Sequence, residues 1–257
     1  MTSDIEFNMV TREIGCITLR QEHKRNALSA QMWTELISAT AKAAAEPILK
    51  VLIVTGAGEH FAAGADISEF ETLYATPESS TKISSKITEA LDALANFPRP
   101  TLAKIRGACV GGGCGIALAC DMRFADGTSQ FAITPAKLGL VYPFADIKRL
   151  IQAVGVSHAK DMLFSARIVK AENAKQIGLV NRLSDQNELD EVVRDYAASL
   201  CGVSATSNQK MKQMFMAYEA GQRAETAITR KMFLDGFSSE GFKEGYAAFL
   251  EKRRPKF

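Results

Sequence analysis

Two short segments of this 257-residue chain place small residues between a strand-like apolar run and the start of a helical one: FAAGADI at 61–67 and VGGGCG at 110–115. The chemistry such segments offer is that of the backbone itself. The first N–H groups of a helix have no partner within it, and they carry about half a unit of positive charge from the aligned peptide dipoles. Small residues let a ligand atom come close to those donors. Two N–H groups aimed at one point form an oxyanion hole, and each donor is worth roughly 3–4 kcal/mol in enzymes that use one. The same glycines also suit tight turns and close helix–sheet packing, so neither loop is decisive by itself. A nucleotide loop needs G-x-G-x-x-G or G-x-x-x-x-G-K-[ST], and the glycine run matches neither.

The remaining reactive side chains are sparse. His23, His60 and His158 are scattered without partners at metal-ligand spacing, so no metal site is expected. The five cysteines (Cys16, Cys109, Cys114, Cys120 and Cys201) contain no C-x-x-C pair, and four lie in apolar stretches, as reduced buried thiols do. A formal net charge of +2 gives no reason to expect nucleic acid as a partner. The opening MTSDIEFNMVTREIG lacks the basic and apolar regions of a signal peptide, and no apolar run approaches the roughly 20 residues of a membrane span. A cytoplasmic protein without a membrane partner is expected.

The elements that must position the two loops alternate between strand and helix. IEFNMVTREIGCITLR predicts two strands around a turn, and NALSAQMWTELISATAKAAAE a helix with Ser29 as its N-cap. ILKVLIVTG reads as a buried strand, and ETLYATPESSTK as a mobile surface segment. ISSKITEALDALANF is an amphipathic helix stopped by Pro98 and Pro100. TLAKIRGACV reads as one strand, followed by a helix to Cys120, the strands DMRFAD and SQFAIT, and a loop from Pro135 into a helix. From about residue 187 only helical patterns follow. Strands alternating with helices imply an α/β core over 1–190, and the tail a helical region over 191–257.

Taken together, FAAGADI, GACVGGGCGIALACD, RFAD…SQFAITPAKLGLVY and AVGVSHAKDMLFSARIVKAENAKQIGLVNRL resemble the enoyl-CoA hydratase/isomerase (crotonase) superfamily. The segments occur in family order over nearly the whole chain, from HKRNALSAQMW to SSEGFKEGYAAFLEKRRPKF. The resemblance implies a spiral of ββα units with C-terminal helices that build a homotrimer or a hexamer. It implies an acyl-CoA thioester as substrate and no separate cofactor, coenzyme A being part of the substrate. By position, the backbone N–H groups of Ala65 and Gly112 would hold the thioester oxygen, where enolate charge develops. Arg25, Ala27, Ala63, Asp66 and Ile67 are carried over as coenzyme A contacts. Phe249 and Lys252 match positions that reach it from a neighbouring subunit.

The family pattern breaks at the acid–base positions. Family hydratases carry one glutamate after the cysteine of the glycine run and another after the proline of the later Q-F-x-x-P segment. Here those positions are Gly115 and Ala136, and neither side chain can move a proton. Each such group contributes typically about 10²–10⁴-fold, so hydration by two glutamates is not expected. The loop LGLVYPFAD supplies Tyr142 and Asp146 instead. TPAKLGLVY is similar to the matching stretch of methylmalonyl-CoA decarboxylases, although those carry histidine where this chain has Ala65. Some isomerases and dehalogenases of the superfamily place a carboxylate on this loop, which gives Asp146 a possible part. The functional alternatives are a decarboxylase or isomerase using Tyr142 or Asp146, or an acyl-CoA-binding homologue without turnover.

Overall fold

A computed structural model describes residues 3–257. The chain opens with β1 (Ile5–Met9) and β2 (Ile14–Leu19), the antiparallel pair expected around a turn. Next comes α1 (Ala30–Ala45), whose N-cap Ser29 accepts the Met32 N–H as its position predicts. β3 (Val51–Gly56), β4 (Thr101–Ile105), β6 (Met122–Asp126) and β9 (Arg182–Ser184) continue the sheet in parallel, in the order β1-β2-β3-β4-β6-β9. A second, three-stranded sheet has the order β5 (Ala108–Val110), β7 (Gln130–Ala132) and β8 (Val169–Lys170).

The unbroken run VLIV in β3 follows from burial on both sheet faces. Leu52 and Val54 join the main core with α1 and with α3 (Pro77–Ala95). Val51 and Ile53, turned the other way, meet Leu189, Val193 and Ala197 of α7 (Leu189–Cys201). The first helix of the C-terminal region therefore packs on the outer face of the large sheet. The remaining helices are α4 (Gly112–Ala119), α5 (Phe144–Ser165), α6 (Ala171–Gln176), α8 (Ala205–Glu219), α9 (Ala227–Leu234) and α10 (Glu240–Leu250). α8 is tied to the body by Lys212, whose Nζ donates to Asp121 (2.7 Å) and to the Arg99 carbonyl (3.0 Å).

Three expectations require correction. The segment from Glu71 to Lys82, expected as a mobile surface segment, lies on the surface but is largely helical: it ends the short α2 (Phe70–Leu73) and opens α3. Thr76 and Ser79 form a reciprocal capping box, and Pro77 at the first helical position brings a pre-set φ, so α3 begins well before its amphipathic pattern does. TLAKIRGACV is two strands, β4 and β5, which belong to different sheets. The loop from Pro135 first makes a one-turn 3-10 helix (Pro135–Leu138) before α5 begins at Phe144. Among the described residues no helix is long and apolar enough to cross a membrane.

Candidate active site

The first loop is laced to the segment before α1. Ala63 N–H donates to the Arg25 carbonyl (3.0 Å), Leu28 N–H to Gly64 (2.7 Å) and Asp66 N–H to Leu28 (2.9 Å). Sequence reasoning passed over the residue that anchors this ladder. Asn26 is fully buried at φ 56; it accepts the Gln21 N–H and donates to the carbonyls of Ala57 (2.9 Å) and His60 (2.7 Å). A polar Asn between Arg25 and the apolar run of α1 is the sequence signal, since Asn is among the few residues that adopt positive φ readily.

The second loop is joined to the first across β5. Ala62 N–H donates to Ala108, Val110 N–H donates to Ala62, and His60 Nδ1 accepts the Ala108 N–H (3.1 Å). Gly111 (φ 52, ψ −113) and Gly64 (φ 107) then meet: a Cβ on Gly111 would lie 3.8 Å from the Gly64 Cα. Ala65 and Gly112 are the next residue along from each of these contacting glycines. Among the described residues, neither the Ala65 nor the Gly112 backbone N–H donates to another protein group. Ala65 is exposed and Gly112 half-buried.

Gly113 sets how closely α4 approaches the first loop, because a Cβ there would lie 2.5 Å from the Ala62 carbonyl oxygen. Gly113→Ala is expected to push the loops apart and to destabilise the fold by about 1–3 kcal/mol. Thermal melting checks this, and an unchanged Tm would refute the close packing.

Arg25, Ala27, Ala63, Asp66 and Ile67 are thus brought together. Asp66 is buried, and Lys24 (2.5 Å), followed by Ser68, holds its carboxyl below the usual range. Glu69 accepts the Ala30 N–H at the start of α1 (2.7 Å). Phe249 lies instead on α10, exposed beside a cavity lined by residues of α8, α9, α10 and the C-terminus. Lys252 follows the end of that helix at φ 53.

The acid–base positions are occupied in an order the sequence does not display. A Cβ on Gly115 would meet Leu91 of α3 at 3.3 Å and the Tyr142 hydroxyl at 3.9 Å. The phenol from the later loop therefore stands beside the position of the first hydratase glutamate. Its hydroxyl is fully buried and has no hydrogen-bond partner. Burial, then the charge of Asp146, push the phenol well above its ordinary value, so it is protonated. Ala136 is exposed on the 3-10 helix.

Asp146, in the first turn of α5, is buried and bonded to Arg149 Nη1 (2.8 Å), while Arg149 Nη2 reaches Asp92 on α3 (2.5 Å). Burial raises the Asp146 carboxyl, and Arg149 opposes the rise.

The mixed α/β architecture, with its two small-residue loops joined across β5, is that of the crotonase fold. The family model for enoyl-CoA hydratase/isomerase matches residues 10–257, and the chain belongs to that family. The short-chain-enoyl-CoA hydratase of Clostridium acetobutylicum is 30% identical, covering 97% of each chain. Among solved structures, an enoyl-CoA hydratase/isomerase family protein from Hyphomonas neptunium is 42% identical with a TM-score of 0.96, over 99% of this chain and 97% of that one. The enoyl-CoA hydratase of Bacillus anthracis has a TM-score of 0.89 at 27% identity, over 99% and 98% of the two chains.

Proposed function

We propose that this chain is an acyl-CoA lyase that forms a thioester enolate at the Ala65 and Gly112 N–H groups and protonates it from Tyr142. The observation that carries the reading is the buried, unpartnered Tyr142 hydroxyl beside Gly115. A neutral phenol in an apolar setting is a poor base; its raised value also weakens it as an acid, but a thioester enolate is a stronger base still, so the proton moves to carbon. The reaction that needs a donor alone is decarboxylation of a thioester with a carboxylate on its α carbon. The C–CO₂ bond breaks, its electron pair becomes the enolate, CO₂ leaves, and the phenol proton goes to the α carbon. The phenolate then regains a proton from water.

Hydration needs a second proton-carrying group, and Gly115 and Ala136 provide none. Isomerisation of a 3-enoyl-CoA is the second reading, favoured by the raised Asp146 carboxyl near Tyr142. The bond to Arg149 counts against it, because a paired carboxylate is a weaker base.

Incubation with methylmalonyl-CoA, crotonyl-CoA and a 3-enoyl-CoA in D₂O, read by mass spectrometry, tests the reading. The expected result is loss of CO₂ from the first, with one solvent deuterium in the product and no water added to the second. Hydration of crotonyl-CoA at ordinary hydratase rates would overturn it. Binding without turnover of any of the three would point to the quiet homologue.

The pH profile gives a further expectation. An ordinary phenol ionises near about pH 10. A general acid stops working above its own value, and that of Tyr142 is raised, so the alkaline loss of kcat lies above the ordinary phenol range. A downturn in kcat at or below neutral pH that follows Tyr142 would refute the assignment.

By the same resemblance, we propose that the C-terminal helices carry the contacts of a trimer or hexamer. The exposed aromatic series Phe233, Phe237, Phe242 and Tyr246, with ring centroids 5.3–6.1 Å apart, supports this, as does Phe249 at 80% exposure. Phe249 and Lys252 would then meet coenzyme A bound to a neighbouring subunit.

A further inference from the structure

The hydrogen bonds that join the first loop to β5 change character at one residue. Ala62 N–H donates to the Ala108 carbonyl and Val110 N–H to the Ala62 carbonyl, both at 2.9 Å, in the evenly slanted pattern of a parallel pair. Continued one rung back, that pattern gives the Ala108 N–H the carbonyl of His60 as its acceptor. The first loop carries an extra residue at this point, so Phe61 N–H, rather than His60 N–H, donates to the Arg106 carbonyl (2.8 Å). The His60 carbonyl turns instead to Asn26 Nδ2 (2.7 Å), and the ring of the same residue takes the vacated place. Its Nδ1 accepts the Ala108 N–H at 3.1 Å, and among the described residues that N–H has no other acceptor. Glycine at 107 permits the approach: a Cβ there would lie 2.3 Å from Nδ1 and 2.3 Å from the Glu59 carbonyl oxygen.

We infer that His60 is a positioning residue for the paired backbone donors: its Nδ1 stands in for a strand carbonyl and fixes β5, and with it the Gly112 N–H, against the loop that carries Ala65. This rests on the reading of Ala65 and Gly112 as the oxyanion hole. A nitrogen that accepts a hydrogen bond carries no proton, so the ring is the neutral tautomer with its proton on Nε2. From Ala108 the chain runs along β5 directly through Gly111 to Gly112, the first residue of α4. A misplacement of about 1 Å at a group that meets the reacting atoms can cost about 10²-fold in rate. The proposed coenzyme A contacts of the first loop are held by other bonds, those of Ala63, Leu28 and Asp66, so affinity does not follow.

Asparagine carries its amide oxygen one bond from Cγ, where histidine carries Nδ1. His60→Asn therefore keeps the acceptor, and His60→Leu removes it. In the leucine variant the Ala108 amide is expected to exchange with D₂O about tenfold faster, the effect of losing one net hydrogen bond. Its kcat on methylmalonyl-CoA is expected to fall about 10²-fold with KM within a few-fold of wild type. The asparagine variant is expected to keep both the protection and the rate. A third measurement needs only the wild-type chain and serves if the leucine variant fails to fold. Nitrogen-15 shifts of the His60 ring, assigned by their loss in His60→Asn, are expected to show a bare Nδ1 and a protonated Nε2.

A proton on Nδ1 overturns the inference, and so does equal Ala108 exchange in the leucine variant and the wild type. An asparagine variant as slow as the leucine one overturns it as well. Loss of the Ala108 bond with kcat unchanged overturns it where Gly112→Pro turns over more slowly than Gly112→Ala. Where those two variants turn over equally, the reading of Gly112 as an oxyanion donor has failed instead, so the two failures are distinct.

Discussion

Tyr142→Phe is expected to lower kcat by about 10²–10⁴-fold, the range general acids contribute, while acyl-CoA affinity stays within a few-fold of wild type. The variant removes one oxygen from a side chain whose ring is already packed on the core. The hydroxyl makes no hydrogen bond, so its loss breaks none and relieves a desolvation penalty of about 1–3 kcal/mol. Activity and stability should therefore move in opposite directions, with the rate falling and Tm holding or rising. A structural tyrosine would behave the other way. Measuring kcat, Kd for an acyl-CoA and Tm on the same preparation separates the two. A variant that keeps its rate, or that loses stability along with it, would remove Tyr142 from the mechanism.

The parts of this site that the sequence displays are the ones set by local chemistry. The small-residue loops, the Ser29 cap and the two-faced burial of β3 each leave a signature within a few neighbouring residues. The loss of both hydratase glutamates is equally plain, because Gly115 and Ala136 stand in segments with recognisable flanks. What stands beside the first of them is not plain, since Gly115 and Tyr142 approach only through the packing of α4 against the loop that enters α5. Composition could nominate Tyr142, but only the fold puts its hydroxyl at Gly115 and withholds an acceptor. Asp146 carried a partial signal: Arg149 follows at i+3, the spacing of a helical ion pair, yet Asp92 on α3 closes the fork from a distant part of the chain. The α3 start was lost because capping by Thr76 and Pro77 outweighed a polar composition.

Gly112 is where the backbone donor itself can be tested, and a pair of substitutions isolates it. Gly112 is the first residue of α4, a position that accepts the fixed φ of proline, and its N–H has no partner to lose. Any Cβ there meets Leu28 Cδ1 and Trp33 Cζ2 at 3.0 Å, so both Gly112→Ala and Gly112→Pro crowd the same two side chains. Only proline also removes the donor and fills the space in front of it. The alanine variant therefore measures crowding, and the ratio of the two measures the donor. That ratio is expected to be at least about 10²-fold in kcat, the effect of deleting one oxyanion-hole donor. The two variants should melt within a few degrees of each other, because their packing change is shared. Equal rates in the alanine and proline variants would show that charge on the thioester oxygen is held elsewhere, and the glycine run would then serve packing alone.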